Sequence, residues 1–99
     1  MIDPRWIPMG FQQIAAFSTV QSLTIPTTTI NGTTVYPTMA VFRCETNNVR
    51  WRDDGTAPTA SVGQLLLPAD DYIMYPGVLS ALQFIPVTGS ATLDVCYYR

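Results

Sequence analysis

The side chains able to do covalent or metal chemistry are few in this sequence, and the missing ones decide more than those present. There is no histidine, and the five cations are all arginines, Arg5, Arg43, Arg50, Arg52 and Arg99. Without histidine there is no Ser-His-Asp or Cys-His nucleophile arrangement and no imidazole ligand set. Without lysine there is no Schiff-base chemistry and no phosphate-binding P-loop lysine. The two cysteines, Cys44 and Cys96, are too few to build a structural zinc site within one chain that lacks histidine. Carboxylates cluster only at Asp53-Asp54 and Asp70-Asp71, each beside a turn signal. Aspartates there accept backbone N–H bonds and shape the turn, and the spacing of an EF-hand calcium loop is missing. No catalytic residue, cofactor or metal site is assigned, and the chain reads as a binding or structural protein rather than an enzyme.

The most distinctive stretch is Val49-Arg50-Trp51-Arg52-Asp53-Asp54-Gly55. Strand alternation puts Trp51 on one face and both arginines on the other. On an exposed face, Arg50 and Arg52 could grip a partner's carboxylates bidentately, and Arg is favoured at binding hot spots. An internal reading stands beside this one, in which the arginines pair with Asp53, Asp54 or Asp94 and Trp51 is core. Arg50, Arg52, Asp53 and Asp54 are therefore candidate partner-interface residues. Tyr72, Tyr75, Tyr97 and Tyr98 raise a sugar-binding aromatic platform, although tyrosines of small β-domains more often sit half-buried in strands.

These side chains need a scaffold that 99 residues can build. That length makes a single domain, 1–99, and at 10.9 kDa its folded surface should be roughly 5,600 Å². Eight prolines and six glycines leave almost no window long enough for an ordinary helix. Between the breakers lie short runs of Val, Ile, Thr, Tyr, Phe and Trp, which suit a pleated surface. The expectation is an all-β fold, a small antiparallel β-sandwich or barrel of jelly-roll or Greek-key type.

Within it, residues 14–17 and 20–25 read as an N-terminal strand or pair. Asn31-Gly32 can supply the two positive-φ positions of a type I′ turn, so residues 27–36 form a hairpin. Its Thr28, Ile30, Thr34 and Tyr36 are expected on one face with little oil, so the hairpin protrudes or lies at an edge. Its tip, Asn31 and Gly32, joins the interface candidates. Strands follow at 39–46, 49–52, 64–67 and 72–75, with Asn47-Asn48 read as a two-residue turn or a bulge. A terminal hairpin pairs 81–87 with 91–98 around Thr88-Gly89-Ser90, with Leu82, Phe84, Leu93, Val95 and Tyr97 as core. On that alternation Cys44 faces the core and Cys96 faces away, so the two thiols are read as free.

Only 12% of residues are charged and the net charge is −2, about half the usual charged share for a soluble domain. A surface so sparsely charged suits a protein packed against neighbours, and a homo-oligomer is expected. Arg50 and Arg52 are cancelled locally by Asp53 and Asp54, which argues against nucleic acid as a partner. No run approaches the roughly 20 apolar residues of a membrane span, and the opening MIDPRWIPMG has no apolar signal core; synthesis in the cytosol is expected.

The run NVRWRDDGTAPTASVGQLL (48–66), followed by LQFI (82–85) and ATLDVCYYR (91–99), resembles small proteins encoded among the virion genes of tailed bacteriophages. The resemblance covers roughly the C-terminal half of the chain. It implies a location in the virion and, among virion posts, a capsid decoration or cement protein seated at capsomer junctions. Its partner would then be the major capsid protein or another virion protein, with a trimer as the implied assembly. A tail, connector or baseplate component is the alternative within that class, and a carbohydrate- or receptor-binding module the alternative outside it. In the decoration reading, the hairpin and the proline-rich N-terminus act as arms lying along a neighbour.

Overall fold

The computed structural model describes residues 6–99; Pro4 and Arg5 of the proline-rich N-terminus lie outside the described residues. In chain order the strands are β1 (Pro8–Phe17), β2 (Gln21–Ser22), β3 (Thr28–Ile30), β4 (Thr33–Val35) and β5 (Met39–Glu45). They continue as β6 (Val49–Arg52), β7 (Gln64–Leu66), β8 (Ile73–Tyr75), β9 (Gln83–Pro86) and β10 (Ala91–Tyr98). One four-stranded sheet has the order β1-β10-β5-β8, a second has the order β2-β9-β6-β7, and β3 and β4 pair only with each other.

This order has a simple origin. β1 pairs with β10, β2 with β9, β5 with β8 and β6 with β7, all antiparallel. The first half of the chain is thus zipped to the second half as one long ribbon. The ribbon is then rolled, so that β10 also meets β5 and β9 also meets β6. That is a jelly roll, a two-sheet sandwich with eight principal strands, and the β3–β4 hairpin is inserted between its second and third. The all-β sandwich expected from the breaker spacing is the fold this chain adopts. Its accessible surface is 5721 Å².

Rolling the ribbon also explains where local cues mislead. Thr88-Gly89-Ser90 does not close a hairpin, because β9 lies in the second sheet and β10 in the first. Likewise Asn47-Asn48 is neither a hairpin turn nor a bulge but part of the crossing from β5 to β6. The two crossings are tied together, since Asn47 Nδ2 donates to the carbonyls of Thr88 (3.2 Å) and Ser90 (2.7 Å). The N-terminal strands do not pair either: β1 belongs to the first sheet and β2 to the second. β1 begins at Pro8, well before residue 14, and Ile7 exchanges backbone hydrogen bonds with Arg99. Residues 7–10 therefore lie on their own sheet instead of forming a free arm.

The core sits between the sheets. Leu82, Phe84, Leu93 and Val95 are fully buried and Tyr97 is 1% exposed, each side chain contributing about 1.5–3 kcal/mol by its removal from water. Strand β10 alternates buried and half-buried along its whole length, the period-2 signature of a sheet with one face on the core. Phe42 meets Phe84 and Trp51 edge to face, with ring centroids 5.1 and 5.4 Å apart. Trp51 packs on the core as a half-buried ring. The Tyr97 hydroxyl donates to Gln12 Oε1 at 2.7 Å, which satisfies the one polar atom of a buried ring.

Candidate functional site

Three surfaces hold the residues of interest. The first is the connection 53–63, where the ribbon reverses between β6 and β7. Arg50 reaches across it, with Nε donating to the Ala60 carbonyl (3.1 Å) and one terminal nitrogen to the Gly63 carbonyl (2.9 Å). Arg52 forks onto Asp54, Nε to Oδ1 at 3.0 Å and its terminal nitrogen to Oδ2. The guanidinium holds the Asp54 carboxyl below the usual carboxylate range. Asp54 also accepts the Thr56 N–H (3.3 Å), while Asp53 accepts the Tyr75 hydroxyl (2.7 Å) and so ties the connection to β8. That bond to the Asp53 carboxylate, more than partial burial, pushes the Tyr75 phenol up.

Further along the connection, Pro58 is fully buried and Thr59 Oγ1 accepts the Val62 N–H at 3.0 Å. Gly63 closes the loop at φ +140°, where a Cβ would lie 3.2 Å from Arg50 Cβ, Pro58 Cβ and the Trp51 carbonyl. The motif therefore has an internal rationale at nearly every position. Arg50, Arg52, Asp53 and Asp54 come together here, and their principal bonds are spent on folding the reversal. Arg50 takes backbone carbonyls instead of a carboxylate, and Asp94, the other candidate partner, lies in the first sheet with Gln13.

The hairpin is a separate surface. Asn31 (φ +51°) and Gly32 (φ +79°) adopt the two positive-φ positions expected of its turn, and both are exposed. A two-residue loop makes Ile30 the direct partner of Thr33 and Thr28 that of Val35. The shared face is therefore Thr28, Ile30, Thr33 and Val35, not Thr28, Ile30, Thr34 and Tyr36, because partners across such a loop have opposite parity. This face borders Ile7, Met9 and Arg99, away from the arginine loop. Arg99 anchors the hairpin's base by donating to the Tyr36 carbonyl at 2.9 Å.

The third surface is the outer face of the first sheet. Its register aligns Phe11 with Cys96, Cys96 with Val41 and Val41 with Met74, one apolar row across all four strands. Phe11 is 63% exposed, and Tyr72, beside the row, is 49% exposed. With Tyr98 they bound a shallow depression of about 380 Å³. The next row is polar: Gln13 opposes Asp94, which opposes Arg43, and Gln13 Nε2 donates to Asp94 Oδ1 at 2.9 Å. Glu45 completes this end, its carboxyl pushed up by a hydrogen bond to Asp94 and by that group's charge.

Cys96 lies on this outer face, while Cys44 is buried in the core with Sγ donating to the Leu66 carbonyl (3.4 Å). Burial pushes the Cys44 thiol up to about 11. The alternation that separates the two cysteines is legible in the sequence. The Phe11–Met74 row is missed there because Pro8 and Gly10 look like breakers; the signal was Phe11, Gln13 and Ala15 alternating with Gln12 and Ile14.

Asp70 does turn work, its Oδ2 accepting the Leu67 N–H at 2.9 Å. Among the described residues, no three His, Cys, Asp or Glu side chains converge in a way that would hold a metal ion, and no helix is long and apolar enough to cross a membrane. No protein-family model matches the chain, and the searches of curated proteins and of solved structures also give no match.

Proposed function

We propose that the protein works by binding, as a structural component of a tailed-phage virion, and that its post is that of a decoration or cement protein on the capsid shell. The observation that carries the binding part is the Phe11–Cys96–Val41–Met74 row. Val41 is buried within the row, but Phe11, Cys96 and Met74 stand outside the packed core, and an apolar row flanked by Tyr72 and Tyr98 on an outer sheet face marks a surface that meets something. The low charge of the chain supports the same reading, since interface centres are depleted of charge and enriched in aromatics and Met. The virion part rests on the motif resemblance. The jelly roll is compatible, as it builds many capsid domains, but it builds lectin domains as well, and fold alone does not assign function.

In this role the protein strengthens a shell by spanning neighbouring subunits, and retention comes from several moderate contacts acting together. Tail, connector or baseplate posts use the same chemistry. A carbohydrate- or receptor-binding module is the second reading, favoured by one observation: aromatic rings stand beside Gln13, Asp94 and Arg43 on one face, and sugars are held by such ring-and-polar combinations. Incubation with empty shells and with a glycan panel separates them. Saturable binding to shells, lost on Met74→Asp, supports the decoration reading; glycan binding lost on Tyr72→Ala with no shell binding replaces it.

A further inference from the structure

The first sheet ends in an open edge of unusual length. β1 spans ten residues and pairs only with β10, whereas the other sheet-edge strands, β8, β2 and β7, have three, two and three. Among the described residues, no backbone group of another segment bonds to the far side of β1. The hydrogen-bond phase of that edge can be worked out. Ile7 and Arg99 exchange both backbone bonds (2.8 and 2.9 Å), so odd-numbered residues of β10 face β1. The Tyr98 carbonyl accordingly points the other way and accepts the Thr38 N–H at 2.9 Å. Gln12 and Ile14, opposite Val95 and Leu93, therefore direct their backbone groups inward. Phe11 and Gln13, with Ala15 next in the alternation, direct theirs outward.

Long edges of this kind are normally protected by charge, proline or bulges. β1 has no charged residue in PMGFQQIAAF. Its irregularities lie between Pro8 and Gly10 and between Ile14 and Phe17 and leave Gly10–Ile14 regular; Gln13, inside that stretch, is the middle of the outward-facing set Phe11, Gln13 and Ala15.

We propose that this edge is a homotypic seam: two copies of the chain pair antiparallel through β1 about a two-fold axis at Gln13, joining their first sheets into one eight-stranded sheet. The register is self-complementary. Outward groups of Phe11, Gln13 and Ala15 meet those of the partner's Ala15, Gln13 and Phe11, and each exposed Phe11 ring packs against a small alanine. The neutral strand puts no like charges at the axis. Among the described residues the nearest, the two Asp94 carboxylates, are about 14 Å apart at ordinary strand spacing, beyond a Debye length at physiological salt. A trimer would instead need β1 to pair head-to-tail with a different edge, and the opposite edge of the same sheet offers only the three residues of β8. The pairing also carries the apolar row of one copy into line with that of the next, doubling the outer face.

The experiment is read in solution without shells, so it stands or falls apart from the capsid reading. Sedimentation equilibrium of the full chain is expected to give twice 10.9 kDa. Gln13→Lys puts two charges on the axis, and Gln13→Pro removes an outward N–H that edge strands tolerate losing. Both variants should sediment at the mass of one chain with an unchanged circular dichroism spectrum. Against misfolding, Gln13→Cys in a Cys96→Ser background should form an intermolecular disulfide on mild oxidation. Facing residues in such a pair have Cα atoms about 5.5 Å apart, within disulfide reach. Gln12→Cys, which faces inward, should not. A wild-type chain that stays monomeric, a trimer, or a dimer that both Gln13→Lys and Gln13→Pro leave intact would overturn the proposal.

Discussion

Arg50 and Gly63 show how much of the distinctive motif is structural. Arg50 holds two carbonyls of the reversing loop, and Gly63 lets that loop pass against Pro58 and the β6 backbone. Removing charge-assisted bonds at a half-buried site costs about 1.5–3 kcal/mol. Arg50→Ala should therefore lower the urea midpoint and speed hydrogen exchange at the Val62 amide; unchanged protection there would refute the role. Gly63→Ala should cost about 1–3 kcal/mol from φ strain and crowding, read from the same unfolding curve.

Two buried groups contribute to the alkaline limit. Burial pushes the Tyr97 phenol from 10.0 up to about 12 and the Cys44 thiol from 9.0 up to about 11. Both folded values lie above the unfolded ones, so each contribution is complete below the unfolded value and is lost as pH rises through the folded one. Stability should hold to about pH 9 and then fall through pH 12, and Tyr97→Phe should flatten the upper part of that fall. A midpoint that falls equally steeply in Tyr97→Phe would show that another group is responsible.

At the scale of elements, the strands were legible and their partners only in part. Runs such as Met39–Glu45 and Val49–Arg52 declare themselves by β-branched and aromatic content between turn signals. Asn31-Gly32 declares a hairpin because its turn requires two positive φ angles. Thr88-Gly89-Ser90 looks just as much like a hairpin, yet it joins two sheets. Nothing local separates the cases, since the choice is made by the long-range zipping of β1β2β5β6 to β7β8β9β10. The hairpin, outside that ribbon, should behave as a satellite. A Cβ at Gly32 meets no atom within 4 Å, but Gly32→Val forces a branched residue to φ +79°. It should raise amide exchange in residues 28–35 and leave the core's melting temperature nearly unchanged. A large drop in melting temperature would mean that the hairpin supports the sandwich.

For the whole molecule, the interface candidates in the arginine motif turn out to be committed to the reversal that makes a jelly roll achievable. The proposed binding falls on the outer face of the first sheet. Of it the sequence revealed Cys96, opposite the buried face of β10, and Tyr72 and Tyr98 as candidate platform aromatics, whereas Phe11 was hidden behind Pro8 and Gly10. The motif serves folding and the proposed binding falls on the apolar row, so the two can be damaged separately. Met74→Asp, at the end of the row away from β1, should leave stability within about 0.5 kcal/mol, as is usual for surface changes, whereas Arg50→Ala should weaken the fold.

The most direct measurement is cosedimentation of the wild-type protein and of Met74→Asp with empty shells of the tailed phage whose virion the chain is proposed to join. Saturable binding at a fixed number of copies per shell is expected, falling at least about tenfold in affinity for the variant, the effect of about 1.4 kcal/mol. Binding by both alike would contradict the assignment of the outer face, and no binding by the wild type would contradict the decoration reading.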